Sequence, residues 1–251
     1  MFDGGRSKPL DAKPLTVLDG LGDSLEFTPI YRGQGVLIMK IRWLGHASFL
    51  ITSKEGVKIL TDPYDDSIGY QMGKVEADVV TVSHSHYDHN YLQRAEGSPQ
   101  VINRPGVSEA KGITFKGISS FHDKTSGRER GTNLIFTFTL DGVKICHLGD
   151  LGHILTAEQV SSLSAVDLLF IPVGGVFTID FKEANQVCEQ LKAKVIFPMH
   201  YKTKVLNLSI DAVDRFLQGK SKVQRLNLSQ VEVSKESLPA EGSEIIVLNY
   251  G

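Results

Sequence analysis

The 251-residue chain holds only two cysteines and one tryptophan, and no run of apolar residues approaches the ~20 that a membrane span requires. Cys146 and Cys188 stand far apart without Cys-x-x-Cys spacing, which excludes a zinc knuckle and a disulfide framework and leaves two buried thiols as the expectation. Neither sign of charge dominates. With 27 Lys and Arg against 29 Asp and Glu the formal net charge is -2, which argues against a polyanion such as nucleic acid as partner. Short basic clusters such as Lys220-Ser221-Lys222 read as solvated loop. A basic segment followed by an apolar core is also missing from the N-terminus, so no secretory signal is expected and the default location is cytoplasmic. Histidine is scarce too, at 8 residues, which makes its distribution informative.

Hydrophobic residues at 41% and charged residues at 22% describe an ordinary globular protein, and the length suits one large α/β domain, or two small ones, with a substantial core. Residues 1–38 scatter Gly, Pro, Asp and Lys without period and read as an N-terminal extension. A functional domain over residues 39–251 then begins with a β-meander through Ile41-Arg42-Trp43-Leu44, Ser48-Phe49-Leu50-Ile51 and Val57-Lys58-Ile59-Leu60. Further strand patterns cover Ile113–Ile118, Leu134–Thr139 and Val143–Cys146, with Asp141-Gly142 as a hairpin signal. From Thr156 the period becomes helical, opened by a capping pattern with Gln159. Two β-α units follow: strands at Asp167–Pro172 and Lys194–Pro198, helices at Lys182–Leu191 and Ile210–Leu217. Such β-rich blocks interleaved with helices suggest two sheets packed face to face with helices outside.

The segment His84-Ser85-His86-Tyr87-Asp88-His89 places three imidazoles and a carboxylate directly after the apolar Val79-Val80-Thr81-Val82. Imidazole nitrogen and carboxylate oxygen are the donors that zinc, manganese and iron accept. In extended chain His84 and His86 point to one side, and a turn into a helix would return Asp88 and His89 toward the same place, so one loop can serve two metals. Other polar candidates also stand where apolar strands end: Asp62, His122, Asp150 and His200. Strand ends in layered domains gather at one rim. Each of these alone is more simply a hydrogen-bonded rim residue, and their joint appearance with the histidine loop is what points to a site.

Taken in order, His84-x-His86-x-Asp88-His89, a downstream His, Gly149-Asp150 and Pro198-Met199-His200 resemble the metallo-β-lactamase superfamily. Trp43-Leu44-Gly45-His46-Ala47-Ser48-Phe49, Thr61-Asp62-Pro63 and His147-Leu148-Gly149-Asp150 are similar to its branch of ascorbate-6-phosphate lactonase-like and related metal-dependent hydrolases. The resemblance implies an α+β fold, a four-layer αββα sandwich, with a two-metal site at the sheet edge. It implies that His84, His86 and His122 hold one divalent ion, that Asp88, His89 and His200 hold the other, and that Asp150 bridges them. Asp88 and Asp150 would be the catalytic carboxylates, and Asp62 would support the histidine loop from behind. His122 is preferred to His147 as the downstream His, because alternation along the strand would aim His147 at the face opposite Asp150. Zinc is the first expectation, with manganese or iron compatible.

Two such ions about 3.5–4 Å apart would share a water, lower its pKa and present hydroxide to a carbonyl or phosphoryl centre. The expected function is therefore hydrolysis of a small ester, lactone or phosphodiester. The alternatives are a phosphodiesterase acting on a lipid or nucleotide, and a metal-binding module without turnover. His46, Asn133 and His153 are the expected substrate-binding residues, Asn133 as donor to an oxyanion. Arg128 and Arg130 sit in a glycine-flanked loop and read as solvated charges, and Gly174-Gly175 as a tight β-α turn without a nucleotide. Metal identity, substrate and oligomeric state are not encoded in these patterns.

Overall fold

The structure is a computed structural model describing residues 38–250. The expected N-terminal extension, residues 1–38, thus lies outside the described residues except for Ile38. Strand β1 (Met39–Gly45) buries Met39, Ile41 and Trp43 and exposes Lys40 and Arg42, the alternation of a strand with one face on the core. It leads into antiparallel β2 (Ser48–Thr52) and β3 (Lys58–Thr61), followed by the short strands β4 (Val75–Glu76), β5 (Val79–Thr81), β6 (Ala95–Glu96) and β7 (Gln100–Ile102). An antiparallel meander comes next, formed by β8 (Gly106–Ala110), β9 (Ile113–Phe121), β10 (Thr132–Leu140) and β11 (Val143–His147). Its last hairpin turns on Asp141-Gly142 with φ of 52° and 77°, the left-handed pair that a tight two-residue connection needs.

The chain then alternates through α1 (Ala157–Leu163), β12 (Leu168–Pro172), α2 (Phe181–Leu191), β13 (Val195–Met199) and α3 (Asp214–Leu217), and ends with β14 (Val223–Arg225), β15 (Gln230–Val233) and β16 (Glu244–Val247). One sheet has six strands in the order β15-β1-β2-β3-β5-β7, and the other has eight in the order β14-β16-β13-β12-β11-β10-β9-β8. Their inner faces meet at Phe49, whose ring lies 4.5 Å from that of Phe170, which in turn stacks on Phe197 at 5.0 Å. Parallel β12 and β13 are buried along their whole length, as strands covered on both sides must be. Among the described residues, the three α-helices follow β11 and connect strands of the eight-stranded sheet. On the other sheet, Leu44, Leu60 and Val80 pack with Val75 and Ala95 of a small β4-β6 ribbon.

Helix starts follow the capping patterns. Thr156 caps α1 with Gln159 reciprocating, and Asp180 caps α2 with Glu183 reciprocating, which accounts for the Asp180 carboxylate without a role in a site. The helix expected over Ile210–Leu217 is shorter, because residues before Asp214 are held as extended chain: Asp211 N donates to Gly174 O at 2.8 Å and Lys202 N to Asp211 O at 2.8 Å. Those bonds dock the segment onto the turns that carry Gly174 and His200. They take the backbone groups a first helical turn would have used.

Candidate metal centre

The C-terminal ends of β1, β3, β5, β9, β11 and β13 meet at one rim, and each delivers a polar side chain just beyond its last residues. His46 follows β1, Asp62 follows β3, and the His84–His89 loop follows β5. His122, Asp150 and His200 follow β9, β11 and β13. Apolar strands thus position the donors, and the rim lets polar side chains face one another without crossing the core. Several of the turns are strained to do it: His46, Asp62 and His200 have φ of 52°, 39° and 50°. Gly149, at φ 55°, is required on two counts. Its conformation is left-handed, and a Cβ there would overlap Asn133 Oδ1 and Ser83.

Donor atoms of His84, His86 and His122 lie within 4.8 Å of one another, as do those of Asp88, His89 and His200 together with His46, and those of His84, His89 and Asp150. The Asp150 carboxylate reaches both of the larger groups. Its Oδ2 is 3.2 Å from His122 Nε2 and 3.2 Å from His200 Nε2, while its Oδ1 is 3.1 Å from His89 Nε2. The contact between His89 Nε2 and Asp150 Oδ1 is close but not aligned as a hydrogen bond, and both atoms are buried without a hydrogen-bonding partner among the described residues. Donors each about 2.0–2.1 Å from a tetrahedral zinc would stand about 3.3 Å apart, so these separations suit a coordination shell as well as ion pairs. His84 Nε2 and His86 Nδ1 face each other at 3.1 Å, so either a proton or a cation has to lie between them.

Asp62 orders the cluster from behind. Its Oδ1 accepts from Ser83 N at 2.7 Å, and its Oδ2 accepts from Ser83 Oγ at 2.7 Å and from His89 Nδ1 at 3.0 Å. Because the Ser83 hydroxyl spends its one proton on Asp62, it receives one from His84 Nδ1 at 3.0 Å. Both imidazoles therefore carry Nδ1–H and turn Nε2 toward the centre, the orientation a metal-binding histidine needs. Asp62 thus hydrogen-bonds the residues before and within the His84–His89 loop from the side away from solvent.

Burial lowers the His84 imidazole to about 3, with His89 acting in the same direction, and lowers His46 to about 4, with His200 adding to it. His89 goes the other way. Burial acts downward on it, but the carboxylates of Asp150, Asp88 and Asp62 outweigh that and raise it well above the ordinary histidine range. Three buried carboxylates around one point thus draw positive charge to it, whether a proton or a metal.

The three expected substrate-binding residues are placed differently. Asn133 is fully buried; its Nδ2 donates to Ser120 Oγ at 2.8 Å and Leu148 O at 2.9 Å, and its Oδ1 accepts from Asp150 N at 2.9 Å. With its amide so engaged it fixes the Gly149-Asp150 turn and is not an oxyanion donor. His153 donates from Nδ1 to Ile154 O at 2.8 Å and accepts at Nε2 from Phe121 N at 3.2 Å, so both ring nitrogens brace the backbone beside His122. His46, fully buried, belongs to the donor cluster, with Nε2 3.3 Å from Asp88 Oδ2.

His147 is buried between the sheets and donates from Nε2 to Ala47 O at 2.9 Å, the packed and hydrogen-bonded place expected for it. Arg128 is tied within its own loop through Nε to Thr125 O, and Arg130 lies over the Phe177 ring at 5.7 Å. Asp123 had no reading in the sequence. It accepts from the backbone N–H of Thr125, Gly127, Glu129 and Arg130 and holds the loop after His122 in shape; its one signal was the Asp-x-Thr spacing of a side-chain turn. The larger cavity, about 460 Å³ beside Trp43, Tyr201 and Arg225, contains none of the donors. A cavity of about 350 Å³ does reach the cluster, lined by His84, Ser85, Asn90, Asn103 and Thr132.

A family model described as the beta-lactamase superfamily domain matches residues 40–200. A UPF0173 metal-dependent hydrolase of Thermoplasma volcanium is 31% identical over 193 residues, covering 66% of this chain and 84% of that protein. A crystal structure from Thermotoga maritima, described as a candidate Zn-dependent hydrolase of the metallo-β-lactamase superfamily, is 42% identical with a TM-score of 0.70, covering 83% of this chain and 98% of that one. The fold alone is shared with CmlA, a diiron β-hydroxylase of Streptomyces venezuelae, at 11% identity and a TM-score of 0.56, over 78% of this chain and 54% of that one.

Proposed function

The chain belongs to the metallo-β-lactamase superfamily, and from that membership and the donor cluster we propose that it is a binuclear metal-dependent hydrolase of a small ester, lactone or phosphodiester. Metal-dependent hydrolysis is the activity named for its relatives. The fold by itself does not choose a reaction, since the same architecture serves a diiron hydroxylase. The observation that supports the reading is the meeting of Asp150 with both donor groups, at separations that suit ligands of shared cations and with buried donors otherwise unpartnered.

His84, His86 and His122 would hold one divalent ion and Asp88, His89 and His200 the other, with the Asp150 carboxylate, whose Oδ2 lies 3.2 Å from both His122 and His200, between them. Such ions supply Lewis acidity toward a carbonyl or phosphoryl oxygen and a nucleophile at neutral pH. The chain's own part is geometric and electrostatic. Asp62 and Ser83 hold Nδ1 of His89 and His84 and so aim each Nε2 at the centre, and Asn133 fixes the backbone of Asp150. Asp88 is the carboxylate nearest solvent, and Oδ2 is its oxygen turned toward His46 and His89, which leaves Oδ1 free to exchange a proton at the edge of the centre. Tyr87 and Phe121, exposed by 56% and 37% and adjacent in sequence to Asp88 and His122, offer apolar surface to a substrate at the rim.

The test is a panel of lactones, esters and phosphodiesters assayed on protein reconstituted separately with zinc and with manganese. Metal-dependent turnover, lost in Asp88→Ala with the circular dichroism spectrum retained, is the expected result. Bound metal with no turnover across the panel would leave a binding module, and no bound metal would remove the reading altogether.

A further inference from the structure

His46 is the group in this cluster that the superfamily motifs leave without a task. It sits outside the His84–His89 loop, in the β1–β2 turn, where an ordinary core histidine would be expected to hydrogen-bond with its surroundings. Its backbone is pinned on two sides: the carbonyl accepts from Trp43 Nε1 at 3.0 Å and from His200 N at 3.3 Å. Gly45 before it has φ 105°, and Tyr64 and Tyr70 close over the space a side chain would need there. From this left-handed turn the His46 ring points inward and is fully buried.

There the ring lies 4.1 Å from that of His200 and 5.1 Å from that of His89, and Nε2 is 3.3 Å from Asp88 Oδ2. Nδ1 has no hydrogen-bonding partner among the described residues, the condition also found for Nδ1 of His122 and His200, which are candidate ligands. A fully buried imidazole whose Nε2 lies 3.3 Å from Asp88 Oδ2, and which offers a donor atom within 4.8 Å of those of Asp88, His89 and His200, stands at the separations of a coordination shell as well as of a hydrogen bond. It is well explained if a cation sits beside Nε2.

We propose that His46 is a direct donor to the buried cation, so that this ion is held by His46, Asp88, His89 and His200 with Asp150, while its neighbour has His84, His86 and His122 with Asp150. The inference rests on the metal-dependent reading above. It makes the two positions unequal. The four donors around the first are all buried, whereas His86 of the second is exposed. The enclosed site fills first and tightly, and the open site fills second and exchanges more readily.

Metal-free full-length protein is titrated with cobalt(II) and zinc against a chromophoric chelator, for wild type, His46→Ala and His46→Gln. Bound imidazoles are counted by pulsed EPR of the one-equivalent form reconstituted with copper(II). Two unequal binding steps are expected in wild type. Both variants should lose more than about 100-fold in the tighter step, beyond the 10–100-fold that losing a merely orienting neighbour costs, and should show one imidazole fewer. His46→Gln keeps a hydrogen-bond donor toward Asp88, so a role limited to orienting Asp88 predicts rescue by Gln and an unchanged imidazole count. Either of those two results overturns the proposal. Absence of metal binding by wild type would overturn the underlying reading as well, so the two failures are distinguishable. Should His46→Ala not fold, judged by near-ultraviolet dichroism, the near-isosteric Gln variant carries the comparison.

Discussion

Replacing Asp62 by Asn changes one atom in the core of the centre and should disable donors in both metal positions. In the wild-type chain the carboxylate accepts from Ser83 N, Ser83 Oγ and His89 Nδ1. An amide can keep the first of these with its oxygen, but then presents an NH₂ to the other two. Ser83 Oγ has to become an acceptor there, so its own proton turns to His84 Nδ1; His89 Nδ1 becomes an acceptor in the same way. Both rings are driven to the Nε2–H tautomer, with hydrogen where a lone pair faced the centre. Restoring the original tautomers would break neutral hydrogen bonds worth about 0.5–1.5 kcal/mol each and set donor against donor in the core, leaving a buried group unpaired at about 1–3 kcal/mol. Loss of an orienting partner costs roughly 10–100-fold in metal affinity, or about 1.4–2.7 kcal/mol, and here it should be felt in both binding steps. Chelator-competition titration measures the affinities, and long-range ¹H–¹⁵N NMR reads the tautomer of neutral His84 in metal-free protein. Affinities within about threefold of wild type and an unchanged His84 tautomer would refute the argument that Asp62 acts through these rings.

Asn133→Ala should cost about 2–4 kcal/mol of stability, since it leaves Leu148 O and Asp150 N buried without partners. An unchanged urea midpoint combined with lost turnover would return Asn133 to the substrate. At Asp167, burial acts to raise the carboxyl pKa, but the Lys144 backbone N–H at 2.9 Å and Lys235 Nζ at 2.6 Å outweigh it and hold it below the ordinary value. A depressed pKa contributes stability that is present above the unfolded value of about 3.9 and lost as pH falls through the folded one. Asp167→Asn should therefore be less stable by about 1–3 kcal/mol at neutral pH, with the difference closing below pH about 3.9; a gap of equal size at pH 3 and pH 7 contradicts this. Finally, zinc at 100 times its dissociation constant should add about 2.7 kcal/mol, raising the melting temperature by about 5–10 °C over chelator-treated protein. Identical melting curves with and without chelator would show that no cation is bound to the folded state.

The sequence made the fold legible wherever a local rule operated. Alternation located β1 and β9, Asp141-Gly142 located a hairpin, and Thr156 with Gln159 located a helix start, because each is decided within a few residues. The helix at Ile210 was misjudged in length because the deciding partners, Gly174 and Lys202, belong to other segments. The site divides in the same way. The histidine loop, His122, Asp150 and His200 could be found from residue type at strand ends. Asn133 and His153 were misassigned because a polar residue beside a motif looks the same in sequence whether it faces substrate or backbone. What separates the two is the partner of each polar atom, and that is fixed only by packing.

The distribution of donors over the sheets gives the centre a consequence for the fold itself. His46, Asp62 and the His84–His89 loop stand on the six-stranded sheet, and His122, Asp150 and His200 stand on the eight-stranded one. Neither proposed cation position draws on one sheet alone: His84 and His86 need His122, and Asp88 and His89 need His200. Each bound ion would therefore cross-link the sandwich at its rim, beyond the apolar contact of Phe49 with Phe170 that joins the sheets within. Without ions, Asp62, Asp88 and Asp150 would be left buried near one another with imidazoles as their main compensation, a costly arrangement. On this proposal the charge that would draw cations to the rim would also disfavour the closed rim in their absence, and binding would be coupled to closure of the two sheets there.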